Sequence, residues 1–286
     1  MDEKDWMLLQ ILHEEKNITR TAERLFISQP ALTYRLQQIE KEFDAQLFVR
    51  GKKGIEFTDQ GEYLVKHARE MVTLSRKIKD AVKSMEGKVK GTLRVGSSNN
   101  FARFQLPKLL KNFLAQYPEV EIHVKTGWSS NLLQFVSSNE VHVGIVRGDF
   151  TWHGEKHLLK EEEICIASKN ELDLSELPRL PRIHYKTDPH LQLTIDSWWQ
   201  SQFSEPPLIT MEVDRIETCR ELVRNGLGYG IFPEISLDEK DDLWTHPLHI
   251  NGQPVIRKTW LIYHKDNLNV NTVRAFVEFL KNRSAV

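Results

Sequence analysis

Apolar residues over the first forty positions recur three or four apart, the spacing of one helix face. Trp6, Leu8, Leu9 and Leu12 mark an amphipathic helix over residues 5–15 that ends near Lys16 and Asn17. A short second helix is predicted from Thr19, read as its N-cap, with Ala22 and Leu25 turned inward. Phe26 and Ile27 form a tight turn. Ser28 then supplies a capping oxygen, and Pro30 falls in the first helical turn, where a missing N–H leaves nothing unpaired. The third helix spaces Leu32, Leu36, Ile39 and Phe43 for burial and turns Gln29, Thr33, Tyr34, Arg35, Gln37 and Gln38 outward. Residues 47–50 and 55–58 read as two strands around a turn at 51–54. From Thr58, a cap, to Gly87 there is no proline. Leu64, Met71, Ile78 and Met85 recur every seven residues there, with Ala68 and Val82 between, which predicts helix-on-helix packing. The partner is a second copy of the helix or another part of the same chain.

Beyond a hinge at Lys88–Gly91 the pattern changes to alternating strands and helices. Strands are predicted at 93–96, 120–124 and 141–146, with helices at 106–114 and from Ser129 or Ser130 to Ser138. A second set has strands at 164–167, 183–185 and 209–213 and helices at 195–203 and 215–225. A strand at 259–263 and a last helix at 270–281 return the chain to the first set. This order predicts mainly parallel sheet covered by helices. The expected fold is multi-domain. A winged helix-turn-helix at 1–58 and a linker helix at 59–87 precede a two-lobed α/β sensor unit at 91–286, similar in architecture to type 2 periplasmic binding proteins. Lobe I is placed at 91–163 and 266–286, lobe II at 164–265. The glycines at 226, 228 and 230 lie after a helix and before a strand, the reverse of a phosphate loop, so they are read as helix termination.

Composition narrows the function classes. At 286 residues, with 40% hydrophobic and 28% charged residues, the chain is an ordinary globular protein of two or three compact units. No apolar run approaches a membrane span, and Met1–Asp5 carries no export-signal pattern, so a cytoplasmic location is expected. Cys165 and Cys219 lack a CxxC or histidine context and are expected to be apolar fillers, with no metal site and no cofactor. No nucleophile elbow, HExxH or cofactor-lysine motif is present, and the eleven histidines share no spacing, so no enzyme is predicted. Net charge is only −1, yet Lys16–Lys53 holds eight basic residues against four acidic ones. Phosphate attraction depends on such local charge, because salt screens beyond about 8 Å.

The outward face of the third helix carries hydrogen-bonding groups of the kind that read base edges in a major groove of double-stranded DNA. Candidate DNA contacts are Arg20, Ser28, Gln29, Pro30, Ala31, Thr33, Tyr34, Arg35 and Gln38, with Arg50, Lys52 and Lys53 on a basic wing. The run from Thr19 to Glu40 (TRTAERLFISQPALTYRLQQIE), with LFVR at 47–50 and TDQG at 58–61, closely resembles the LysR-type signature. That resemblance implies a transcription regulator that is a homodimer or homotetramer, paired through the linker helix, with no membrane partner.

In α/β folds ligands sit at strand C-termini, where helix N-termini offer N–H groups to anions. Ser98, Asn99, Asn100, Ser129, Ser130, Arg147, Lys186 and Arg257 fall at such places, and converging cations suit an organic acid. The segments TGWSSNLL at 126–133, VHVGIVRG at 141–148, IETCRELV at 216–223 with GLGYGIFPE at 226–234, and PVIRKTWL at 254–261 resemble a citrate-responsive branch of the family, typified by catabolite control proteins C and E. This implies that Ser129, Arg147 and Arg257 hold effector carboxylates. The chain departs from that branch at Asn99, Asn100 and Arg103, a more polar mouth that suits another organic acid. The competing readings are a family member with a non-carboxylate effector, and a two-lobed ligand-binding or enzymatic protein with an accessory DNA module.

Overall fold

A computed structural model describes the chain except for residues 52–53, 86, 239–241 and 285–286. It divides into two compact units, Met1–Glu86 and Gly87–Val286.

The first unit opens with α1 (Glu3–Glu15), begun by a reciprocal cap between Asp2 and Asp5 and ended by Lys16 in the left-handed region. α2 (Ile18–Leu25) is capped by Asn17, whose side chain accepts the Arg20 N–H. The expected cap at Thr19 is therefore corrected: Asn17 lies one position before the helix, where its oxygen reaches the free N–H groups. α3 (Gln29–Phe43) starts at Ser28 as expected and buries Leu32, Leu36 and Ile39, whereas Phe43 at its last turn is exposed. Phe48–Gly51 (β1) and Gly54–Phe57 (β2) pair antiparallel as a wing. The Glu40 carboxylate accepts the N–H groups of Leu47 and Phe48 at 2.8 and 3.1 Å, tying α3 to it. α4 (Asp59–Ser84) starts at Thr58. Its Leu64, Val65 and Ala68 join Leu8, Leu9 and Leu12 in one core, so the first half of the heptad pattern is satisfied within the chain. The remainder, Met71, Ile78, Val82 and Met85, is exposed, and so is Leu74 beside it.

The second unit is built on β3 (Gly91–Ser98), β4 (Val120–Gly127) and β5 (Val143–Arg147), with β3 parallel to both neighbours. α5 (Asn99–Phe104), α6 (Leu106–Gln116) and α7 (Ser129–Ser137) connect them. β6 (Glu155–Ser168) and β13 (Ile256–Tyr263) are long antiparallel partners, and β13 also pairs with β5 over Thr259–Tyr263. The chain thus returns to the first lobe within β13, earlier than the boundary expected at 265. The far ends of these strands belong to the second lobe. There β9 (Gly230–Pro233) and β10 (Trp244–Pro247) flank β6, β7 (Arg182–Tyr185) pairs parallel with β8 (Ile209–Val213), and the short β11 (His249–Ile250) and β12 (Gln253–Pro254) pair antiparallel. α8 (Pro189–Gln202) and α9 (Ile216–Arg224) pack in this lobe, and α10 (Asn271–Ser284) packs back on the first. The expectation of mainly parallel sheet is corrected, because the strands that carry the chain between lobes run antiparallel to their neighbours. The expected two-lobed, periplasmic-binding-like arrangement is present. Gly226 ends α9 with φ +76°, as the glycine cluster predicted.

Candidate functional sites

The outer surface of α3 has the character the sequence predicted. Arg20, Ser28, Gln29, Pro30, Ala31 and Tyr34 are exposed, and Thr33 and Gln38 half-buried. Phe26, not anticipated as a surface feature, stands 96% exposed in the turn before α3 because its backbone adopts the left-handed conformation that ends α2. Arg35 is different. Its Nε and Nη2 both donate to the buried Asp5 carboxylate at 2.5 Å, a two-pronged ion pair that fastens α3 to α1. Burial pushes the Asp5 carboxyl up, but the Arg35 hydrogen bonds, the Asp2 N–H and the guanidinium charge outweigh it and hold the carboxyl below its ordinary range. Arg50 lies on the β1 backbone and its side chain is outside what the structure describes, as are Lys52 and Lys53.

A cavity of about 300 Å³ lies where the C-terminal ends of β3, β4, β7 and β8 meet the first turns of α5, α7, α8 and α9. Seven predicted residues line it: Ser98, Asn99, Asn100, Ser129, Arg147, Lys186 and Arg257. Ser130 does not; it is exposed, and its hydroxyl donates to the Asn131 side chain at 3.4 Å. Ser129 is less available than expected, since its hydroxyl exchanges hydrogen bonds with the Arg147 backbone, each 3.0 Å long. Sequence reasoning missed the far wall, made of Tyr185, Thr187 and Asp188 after β7 and Asp214, Arg215 and Glu217 before and within α9. The signal was available in Asp188–Pro189, a helix-start dipeptide, which caps α8 through its carboxylate.

The electrostatics differ from a simple cluster of cations. Arg147, 2% exposed, forms an ion pair with the equally buried Glu162. Sheet register explains the pair. Arg147 lies opposite Thr259, and Arg257 opposite Glu162, so all four side chains share one sheet face. Burial, with Arg257 nearby, pushes the Arg147 guanidinium below its ordinary value. Arg257 Nη2 donates to Asp188 at 2.5 Å, and Glu217 receives Arg103 at 3.0 Å. Lys186 is exposed, with its ammonium 5.8 Å from the Trp128 ring centre.

Several buried donors facing this region stay unpaired. The Ser98 and Tyr185 hydroxyls and Nε and Nη1 of Arg257 make no hydrogen bond to any described protein atom. Burial pushes the Tyr185 phenol up, so it keeps its proton and remains a donor. Among the described residues no helix is long and apolar enough to cross a membrane, and no acidic, histidine or cysteine cluster is placed to hold a metal.

Comparison with known proteins bears on both regions. The family description of bacterial regulatory helix-turn-helix proteins of the lysR family matches residues 4–62, and that of the LysR substrate binding domain matches residues 86–285. The chain is 47% identical over 287 residues to the uncharacterized HTH-type transcriptional regulator YraN of Bacillus subtilis strain 168, covering 100% of this chain and 99% of that one. It is 34% identical over 278 residues to the uncharacterized HTH-type transcriptional regulator YkuM of the same organism, covering 96% and 95%. Full-length CbnR, a LysR family regulator solved in complex with its target DNA, shares the fold at a TM-score of 0.70 and 20% identity, over 99% of this chain and 100% of that chain. These relatives carry the names of regulators, in keeping with the expectation that the chain is no enzyme. The winged helix-turn-helix and the cleft-bearing unit together identify the chain as a member of the LysR family of DNA-binding transcriptional regulators, with an effector-binding domain behind its DNA-binding one.

Proposed function

We infer that the chain represses or activates transcription from a dyad-symmetric operator according to whether a small organic acid occupies the cleft of its second unit. The observation that carries the effector reading is the set of buried donors on Ser98, Tyr185 and Arg257, which line one cavity and lack acceptors among the described residues. A buried donor without an acceptor is destabilising by about 1–3 kcal/mol, and a carboxylate supplies several acceptor positions at once. Citrate is the acid implied by the family resemblance. The pairing of Arg147 with Glu162 and of Arg257 with Asp188 favours an acid of fewer charges.

On the DNA side, Gln29, Pro30, Ala31, Thr33 and Gln38 face base edges in this reading. Arg20, Ser28, Tyr34, Arg50, Lys52 and Lys53 contact the backbone, and Arg35 acts first as a scaffold. Two copies pair through the exposed apolar stripe of α4, and acid binding re-spaces the paired modules by shifting their population between two arrangements. The test is selection of duplexes from a random pool by the full-length chain, followed by fluorescence anisotropy with and without a panel of organic acids. A recovered site should show two-fold symmetry and bind at least about 10³-fold more tightly than unrelated DNA. Gln29→Ala should remove about 1–3 kcal/mol of that discrimination. A responsive acid should lose its effect in Tyr185→Phe. Binding without sequence preference overturns the operator reading, and an acid response indifferent to Tyr185→Phe and Ser98→Ala moves the effector out of the cleft.

A further inference from the structure

The cleft is balanced in charge, which narrows what it can hold. Arg147 is matched by Glu162 beneath it and Arg257 by Asp188 beside it. Glu217 is taken by Arg103, and the exposed Arg215 stands 3.9 Å from Asp214. Lys186 is then the one lining cation with no carboxylate of a described residue in ion-pair range. An entering acid with several negative charges would meet few free cations and would lie against Asp188, whose charge repels it in a partly buried site.

Asp188 is fixed in that position from two sides. One carboxylate oxygen accepts the Leu191 N–H at 3.1 Å, closing the first turn of α8, and the other receives Arg257 Nη2. The side chain therefore already stands where a ligand carboxylate would sit on that edge of the guanidinium. Among the described residues, Nη1 and Nε of Arg257 still lack acceptors, as do the Ser98 and Tyr185 hydroxyls. Those donors suffice for one carboxylate.

Resting on the effector reading above, we propose that Asp188 sets the ligand specificity of the cleft. By occupying one edge of Arg257 it restricts the site to organic acids with a single carboxylate and excludes di- and tricarboxylates. Asparagine caps a helix as well as aspartate does, so Asp188→Asn removes the charge while preserving α8. Isothermal titration calorimetry of the full-length chain with citrate and with pyruvate, the two acids used as probes, tests this. Asp188→Asn should bind citrate at least tenfold more tightly than the unaltered chain does, Asp188→Glu should keep citrate out, and adding Arg257→Ala to Asp188→Asn should abolish the gain.

A citrate affinity unchanged by Asp188→Asn overturns the role of Asp188. The cleft itself still stands in that case if pyruvate binding is lost in Ser98→Ala. A citrate gain that survives Arg257→Ala places binding elsewhere and overturns the effector reading along with the proposal. Tighter binding of citrate than of pyruvate by the unaltered chain also refutes the restriction.

Discussion

Replacing Arg35 with alanine separates two roles that the sequence cannot distinguish, a contact with DNA and a brace within the DNA-binding unit. In the structure its guanidinium makes two charge-assisted hydrogen bonds to Asp5, which is 2% exposed. Truncation leaves a buried carboxylate with its backbone bond to Asp2 but without its guanidinium partner. Breaking a fully buried pair destabilises by about 3–5 kcal/mol. The Arg35 side chain is 43% exposed, so water relieves part of that loss, and about 2–3 kcal/mol is expected. A unit of this size loses roughly 4–8 °C per kcal/mol, which places the shift at about 10–20 °C. Differential scanning calorimetry of the full-length chain should show the transition of the first unit moving by that amount and the second staying in place. Asp5→Asn in the Arg35→Ala background should restore about 1 kcal/mol or more, because the uncompensated charge is gone. The pH dependence has a definite sign. The Asp5 carboxyl is lowered in the folded chain, so the stabilisation is complete above the ordinary aspartate range of the unfolded chain and is lost as pH falls through the lower folded value. The deficit of Arg35→Ala should therefore shrink in strong acid. Both transitions within about 0.5 kcal/mol of the unaltered chain, or a double variant no more stable than the single, would refute the brace.

Other consequences are more local. A Cβ at Gly61 would lie 2.2 Å from the Leu47 carbonyl oxygen, so Gly61→Ala should destabilise the first unit by about 2–3 kcal/mol in urea titration, despite the roughly 1 kcal/mol by which alanine favours a helix. Burial pushes the thiols of Cys165 and Cys219 up to about 12. Neither should react with a disulfide reagent at pH 8 until the chain is denatured, when both should; rapid labelling of the native chain would contradict their burial. Ile78→Glu places a charge in the exposed stripe of α4 and should weaken self-association at least about tenfold in sedimentation equilibrium, with an unchanged constant assigning that stripe no part in assembly.

Much of this protein was legible in its sequence wherever the signal was local. Ser28 and Thr58 announced helix starts, because capping needs only an oxygen within a few residues of a free N–H. The spacing of Leu32, Leu36 and Ile39 fixed the buried face of α3 and with it the outward face, and strand ends followed by serine or asparagine located one wall of the cleft. The same local reasoning misplaced the α2 cap at Thr19, since Asn17 and Thr19, two positions apart, both offered a suitable oxygen.

Partnership was another matter. The sequence determined which residues carry charge and which faces turn outward, but only the tertiary structure decided where those charges are spent. Asp5 lies 30 residues from Arg35, and Asp188 lies 69 from Arg257. Glu162 meets Arg147 through the register of β6, β13 and β5. Periodicity and capping act over a few residues, whereas these pairs exist because distant strands and helices fold against one another. That closure turned an apparent cluster of free arginines into a balanced pocket.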